Sequence, residues 1–116
     1  MLLADQGADV VRIDPPSGPK WDTPGNSTWN RGKRSLLLDL KQGGDLEIAK
    51  KLIRSADVLI ENFRPGVMDR LGLGNKEMVE ANSRLVYCSM PGFAADDPRA
   101  ALPGWEGIIG AATGTY

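Results

Sequence analysis

The sequence predicts an α/β fold, a parallel sheet with flanking helices, on three observations. Four short apolar runs recur along the 116 residues, amphipathic stretches separate them, and the links are short. Each run is apolar on both faces, which is the pattern of strands in a parallel sheet covered on both sides. Strand-helix-strand order with short links implies right-handed crossovers within one sheet of about four strands.

Taken in order, residues 2–6 read as the end of a helix, with Gly7 as its stop. Residues 9–13 form the first predicted strand, and residues 35–38 the second. A helix starting near Asp45 follows, because Ala49, Leu52, Ile53 and Ala56 fall at i, i+3, i+4, i+7 and make one apolar face. Glu47 and Lys51 form a favourable i, i+4 pair on its other face. Residues 57–61 are the third strand. Pro65 then suits the first position of a helix whose stripe is Val67, Met68 and Leu71, ended by Gly72. Asn75 is placed to cap a short helix carrying Met78 and Val79, and residues 85–89 are the fourth strand. Two segments break the rhythm. Residues 14–34 are rich in proline and glycine, as a functional loop or insertion is. From Pro91 onward the chain is rich in Gly, Ala and Pro, with Ile108-Ile109 its one strong apolar pair and no closing element expected. Both ends read as cuts in a larger sheet.

Bulk properties limit the function. The length suits one small domain, and 41% hydrophobic with 25% charged residues argues against disorder. A net charge of −1 supplies no global field for nucleic acid or an anionic membrane, so any anion site must be a local cluster. Apolar stretches fall far short of the ~20 residues of a membrane span, and the first residues lack a signal-peptide pattern. Cys88 is the single cysteine, which excludes an internal disulfide and fits a reducing, cytoplasmic setting. The chain has no histidine, the commonest general base and metal ligand, and no ligand spacing suggests a metal.

In open parallel sheets, ligands bind beyond the carboxyl ends of the strands. That rule selects residues 14–16, residues 39–41 and residues 61–66. The third group is the most informative. Asn62 offers an amide, Phe63 a flat apolar face and Arg64 a forked cation suited to phosphate. The following helix would aim free N–H groups at the same place, and Arg70 lies where it can reach back. Spacing alone leaves two readings open: a phosphate cradle, or a strand-helix turn with a solvated arginine. A second basic cluster, Arg31, Lys33 and Arg34 with Lys41 beyond the strand, carries the same ambiguity. Trp21 and Trp29 are expected to pack the long loop down in preference to stacking on a base. Cys88 reads as an inert buried thiol, and Asp96-Asp97 as a solvated turn. No glycine-rich dinucleotide or Walker-type motif is present.

In order along the chain, residues 2–14, residues 30–41, residues 56–72 and residues 82–93 resemble four motifs of one family. The run Ala56-Asp57-Val58-Leu59-Ile60-Glu61-Asn62-Phe63-Arg64-Pro65-Gly66-Val67-Met68-Asp69-Arg70-Leu71-Gly72 carries the most specific likeness. The family is the class III CoA-transferases (CaiB/BaiF), and the resemblance covers nearly the whole chain. It implies that residues 1–116 are part of a Rossmann-like large domain, truncated at both ends, of an interlocked homodimer. It implies coenzyme A or acyl-CoA as substrate, with no tightly bound cofactor. Acyl-CoA and carboxylic acids would be the small-molecule partners, with no nucleic acid and no membrane. By motif position, Leu38 and Lys41 fall where the family contacts the adenine and phosphate end of CoA. Asn62, Phe63 and Arg64 fall on the cofactor-binding turn, and Arg70 and Leu71 on the CoA-contacting helix after it. Pro15 departs from the arginine that formyl-CoA transferase has there, which puts one cation-adenine contact in doubt.

The resemblance further implies covalent catalysis by an aspartate. It attacks an acyl-CoA thioester, becomes an aspartyl-CoA thioester and passes CoA to a second carboxylate. That aspartate would fall about twenty residues beyond Tyr116, so no catalytic residue is assigned to Asp96, Asp97 or Glu106. The family's racemase branch uses a histidine at the position of Trp105, and its absence here ranks CoA transfer ahead of racemization. A non-catalytic CoA-binding remnant is the third reading.

Overall fold

The computed structural model describes residues 1–19 and 23–115. Among these residues the chain is α/β with short parallel sheets and flanking helices. It divides into two compact units, Met1–Ala49 and Lys50–Tyr116, so that the boundary falls inside one helix.

The first unit opens with α1 (Leu2–Asp5) and turns through Gly7, whose φ of +93° is open to glycine and strained for other residues. β1 (Val10–Asp14) runs parallel to β2 (Lys33–Leu37), with Val10 opposite Lys33 and Asp14 opposite Leu37. Among the described residues Asp14 is the one charged residue that is buried, at 8% exposure. Its carboxylate is satisfied locally: it accepts from Arg12 Nε at 2.8 Å and from the Ser35 hydroxyl at 2.7 Å. Register explains the cluster. Arg12 and Asp14 share one face of β1, and Ser35 sits opposite Arg12 on β2. Leu38, at 5% exposure, continues the ladder by donating its N–H to the Asp14 carbonyl at 2.9 Å.

Between these strands lies α2 (Pro24–Trp29), a helix that the proline- and glycine-rich reading of residues 14–34 missed. Its sequence signal is Thr23-Pro24: an extended residue, then proline at the first helical position, where its missing N–H costs nothing. Lys33 and Arg34 likewise belong to β2, not to a loop. Trp29 stays 62% exposed, contrary to the expected packing. Trp21 lies outside the described residues.

α3 (Gly43–Ser55) bears out the predicted helix, with Ala49 and Ile53 buried at 0% and 5% exposure. In the second unit β3 (Val58–Glu61) pairs in parallel with β4 (Val86–Ser89), Val58 opposite Val86 and Glu61 opposite Ser89. The crossover carries α4 (Val67–Arg70) and α5 (Asn75–Ala81). Met68, Leu73, Met78, Leu85 and Phe93 are buried. Asn82 donates its amide to the Ile53 and Ala56 carbonyls, at 3.3 and 2.8 Å, which satisfies the end of α3.

Four expectations need correction. The strands form two separate two-stranded sheets, β1-β2 and β3-β4, instead of one four-stranded sheet. One strand face stays open, with Val58, Ile60 and Val86 exposed at 45%, 54% and 60%. Apolar patterning reports that a face is able to be buried, and it does not say which neighbour covers it. Gly74, not Asn75, precedes α5 as its cap, without a side-chain bond. Finally, α6 (Glu106–Thr113) occupies the glycine-rich tail. Its signal was Gly114, which ends the helix at a φ of +76°.

Asp14→Ala removes a buried acceptor from Arg12 and Ser35 together. It is expected to destabilise the first unit by about 1–3 kcal/mol, read as a lower denaturation midpoint at unchanged slope.

Candidate functional site

The second unit holds a recess of about 260 Å³ at the carboxyl edge of β3 and β4. Because the two strands are parallel, both end here, at Glu61 and Ser89. Phe63, Arg64, Pro65 and Gly66 come from the turn after β3, while Ser89 and Pro91 bracket the end of β4. Tyr87 and Asn75 complete a lining that mixes apolar faces with hydrogen-bonding groups.

The turn is built by local bonds. Glu61 Oε2 accepts the Phe63 N–H at 2.7 Å, and the Glu61 carbonyl accepts the Met90 N–H at 2.8 Å. Gly66 takes a φ of +78°, which reverses the chain into α4. A β-carbon there would also lie 3.3 Å from Arg70 Nη1, so the Arg70 side chain folds back over the turn. The expected helix start differs. Pro65 lies before the Gly66 cap, α4 is a single turn, and the Val67 N–H is already taken by the Arg64 carbonyl at 3.1 Å. The turn therefore has the two arginines as its anion-attracting groups, not a helix terminus.

Phe63, 44% exposed, and Arg64 are brought together in this lining, with Arg70 beside them. Asn62 is exposed on the same turn without lining the recess. Leu71 is half-buried at the end of α4, held by N–H bonds to Val67 and Met68. Leu38 and Lys41 belong to the first unit. Leu38 is buried, whereas Lys41 is exposed in a turn whose shape is fixed by Asp39: its carboxylate accepts the Lys41 N–H at 3.0 Å. The Asp39 N–H in turn donates to Asp45 at 2.8 Å.

The other basic cluster is neutralised within the first unit. Arg31 pairs with Asp5 at 2.6 Å, Arg34 pairs with Asp9, and Lys33 Nζ donates to Asn30 at 3.3 Å. Among the described residues no ion pair involves Lys41, Arg64 or Arg70. Arg64 Nη1 instead donates to the Ala101 carbonyl at 3.2 Å.

Sequence reasoning missed Tyr87, Ser89 and Pro91, although the strand-end rule applied to the fourth strand would have found the last two. Tyr87 donates its hydroxyl to the Leu73 carbonyl at 3.1 Å. Burial, with the Glu61 and Asp69 carboxylates, pushes its ionisation up to about 12. Cys88 is half-buried and not enclosed as expected. Asp97 does form a turn, held down to about 2 by hydrogen bonds from the side chain and backbone of Arg99. Among the described residues no helix is long and apolar enough to cross a membrane, and no group of three or more His, Cys, Asp or Glu is placed to hold a metal.

Parallel strand pairs with flanking helices define an α/β protein, and the recess lies at the strand edge where ligands bind in open parallel sheets. The chain belongs to CoA-transferase family III, whose sequence model matches residues 1–116. It is 47% identical over 117 residues to the CoA-transferase/lyase DddD of Marinomonas sp. (strain MWYL1), covering 100% of this chain and 14% of that protein. It is 44% identical over 106 residues to the alpha-methylacyl-CoA racemase of Homo sapiens, covering 91% of this chain and 27% of that one. The crystal structure of a CaiB/BaiF family protein from Brucella suis superposes with a TM-score of 0.83 at 33% identity, covering 97% of this chain and 33% of that one. The chain thus spans a third or less of each of these relatives.

Tyr87 is expected to titrate near 12 in an ultraviolet pH titration, and Tyr87→Phe should delete that step. The raised value favours the neutral phenol in the folded state. Its stabilisation is present below the ordinary value of 10.0 and is lost as pH rises through about 12.

Proposed function

We propose that residues 1–116 are part of the CoA-binding large domain of an enzyme that transfers coenzyme A from an acyl-CoA thioester to a carboxylic acid. The carrying observation is the turn after β3, where Phe63 and Arg64 line the recess and Arg70 folds back over Gly66. Membership of CoA-transferase family III supports the same reading.

The charges of the site sort the ligand. Glu61 and Asp69 line the recess against one cation, Arg64, so its interior repels phosphate. The anionic end of CoA suits the rim instead, at the guanidinium groups of Arg64 and Arg70. Phe63 offers its exposed face to the adenine or the pantetheine arm. Asn62 and Leu71 flank that turn, and Leu38 and Lys41 are assigned to the adenine and phosphate end by motif position. The chemical step is assigned to an aspartate outside these residues, through an aspartyl-CoA thioester. The enzyme is proposed to be a cytoplasmic, interlocked homodimer with acyl-CoA and a free acid as its partners.

Two measurements test this reading. Labelled carboxylate should exchange into the thioester pool in the presence of acyl-CoA, with a trappable enzyme-CoA species. No exchange for any donor and acceptor pair would sink the proposal. Racemization of a 2-methylacyl-CoA is the second reading, favoured by the 44% identity to the human racemase. Solvent deuterium entering the α-position without acyl exchange would select it. In the intact protein, Lys41→Ala and Arg64→Ala should each weaken CoA binding by about 1–3 kcal/mol. A dissociation constant unchanged in both variants refutes the phosphate placement.

A further inference from the structure

Residues 92–104 leave β4 and close on themselves. Gly92 and Gly104 meet backbone against backbone: a β-carbon built on Gly92 would fall 2.3 Å from the Gly104 Cα, and one on Gly104 would fall 2.6 Å from the Gly92 Cα. Neither glycine has a positive φ, so the requirement is space and not backbone freedom. Just inside the closure Phe93 is buried, with the Arg99 guanidinium 4.9 Å from its ring centre. Arg99 also holds Asp97 through two side-chain bonds of 2.9 and 2.7 Å. Backbone bonds run Asp97 N–H to Ala94, Ala100 N–H to Asp97 and Leu102 N–H to Arg99. A segment with touching ends and its own internal packing is an Ω-loop.

One side chain joins this loop to the turn after β3. Arg64 reaches across 37 residues of sequence to donate Nη1 to the Ala101 carbonyl at 3.2 Å. The same loop sends Ala95 into the lining of the recess that Arg64 and Phe63 also line. A guanidinium serving only as a phosphate ligand needs no such partner. Here one arm is committed to the loop, and Nε and Nη2 remain for an anion.

We infer that Arg64 is a positioning residue: it docks the Ω-loop of residues 92–104 onto the β3 turn and so fixes the recess wall that Ala95 forms. The docking stands on the geometry alone, and only its effect on affinity rests on the CoA reading. With the loop undocked, the wall moves and the recess loses its shape, whatever charges remain at the rim.

Amide hydrogen exchange on the intact protein tests the docking. Arg64→Ala should speed exchange at the Ala100 and Leu102 amides about tenfold or more, the loss of a charge-assisted bond to a locally opening unit. Arg64→Lys keeps a donor of similar reach and should restore most of that protection. Gly104→Ala forces the closure apart without removing any charge, and should speed the same amides. Titration with CoA should show both Arg64→Ala and Gly104→Ala weakened, with the double variant less impaired than additivity requires. Unchanged exchange in Arg64→Ala, or Arg64→Lys exchanging as fast as Arg64→Ala, overturns the inference. Should the unaltered protein fail to bind CoA while the amide pattern holds, the CoA reading falls and the positioning role stands.

Discussion

In a parallel pair both strands finish at the same edge, and the β3-β4 pairing brings Glu61 and Ser89 opposite one another. The rest of the site depends on this. A parallel return needs a crossover, here α4 and α5, and the crossover must begin where β3 ends. The turn that starts it therefore sits beside the segment that leaves β4. Phe63, Arg64 and Gly66 enter the recess from one side, and Pro91 and Ala95 from the other. Gly66 makes the geometry possible, because its positive φ and missing side chain let Arg70 lie back over the turn.

The cations divide by what holds them. Arg12, Arg31, Arg34 and Arg99 each have a carboxylate partner within their own unit. These pairs maintain structure, and the exposed ones contribute little energy each. Arg64 and Arg70 lie at a strand end, and among the described residues neither has a carboxylate partner. The sequence offers Arg31 and Arg34, like Arg64 and Arg70, as candidate anion-binding groups, and proximity in sequence does not distinguish them. What separates them is whether an aspartate such as Asp5 or Asp9 comes within reach in space.

The run that carries the most specific family likeness, residues 56–72, also holds the turn that the strand-end rule selects. The recess adds a constraint that neither supplies. With Glu61 and Asp69 among its lining, the interior is a poor host for phosphate, and the proposed reading therefore puts the anionic groups of a ligand at the rim. Arg64, the arginine proposed to attract them, also holds a loop carbonyl. In the proposed reading, ligand affinity and loop position are coupled through that one guanidinium.

The four strands, α3 and the turn of residues 61–66 were legible because their signals are local: apolar period, strand length, and glycine or proline at element ends. α2 and α6 were missed where glycine and proline content masked a helix start at Thr23-Pro24 and a helix stop at Gly114. The sequence alone determined the α/β class, the parallel character of the strands and the family likeness, since each is written in patterns a few residues long. Tertiary structure decided the rest: which strands pair, that Arg31 and Arg34 are neutralised, that Tyr87 joins the recess, and that Arg64 meets Ala101. Those facts depend on contacts between residues far apart in the chain, and no short-range pattern encodes them.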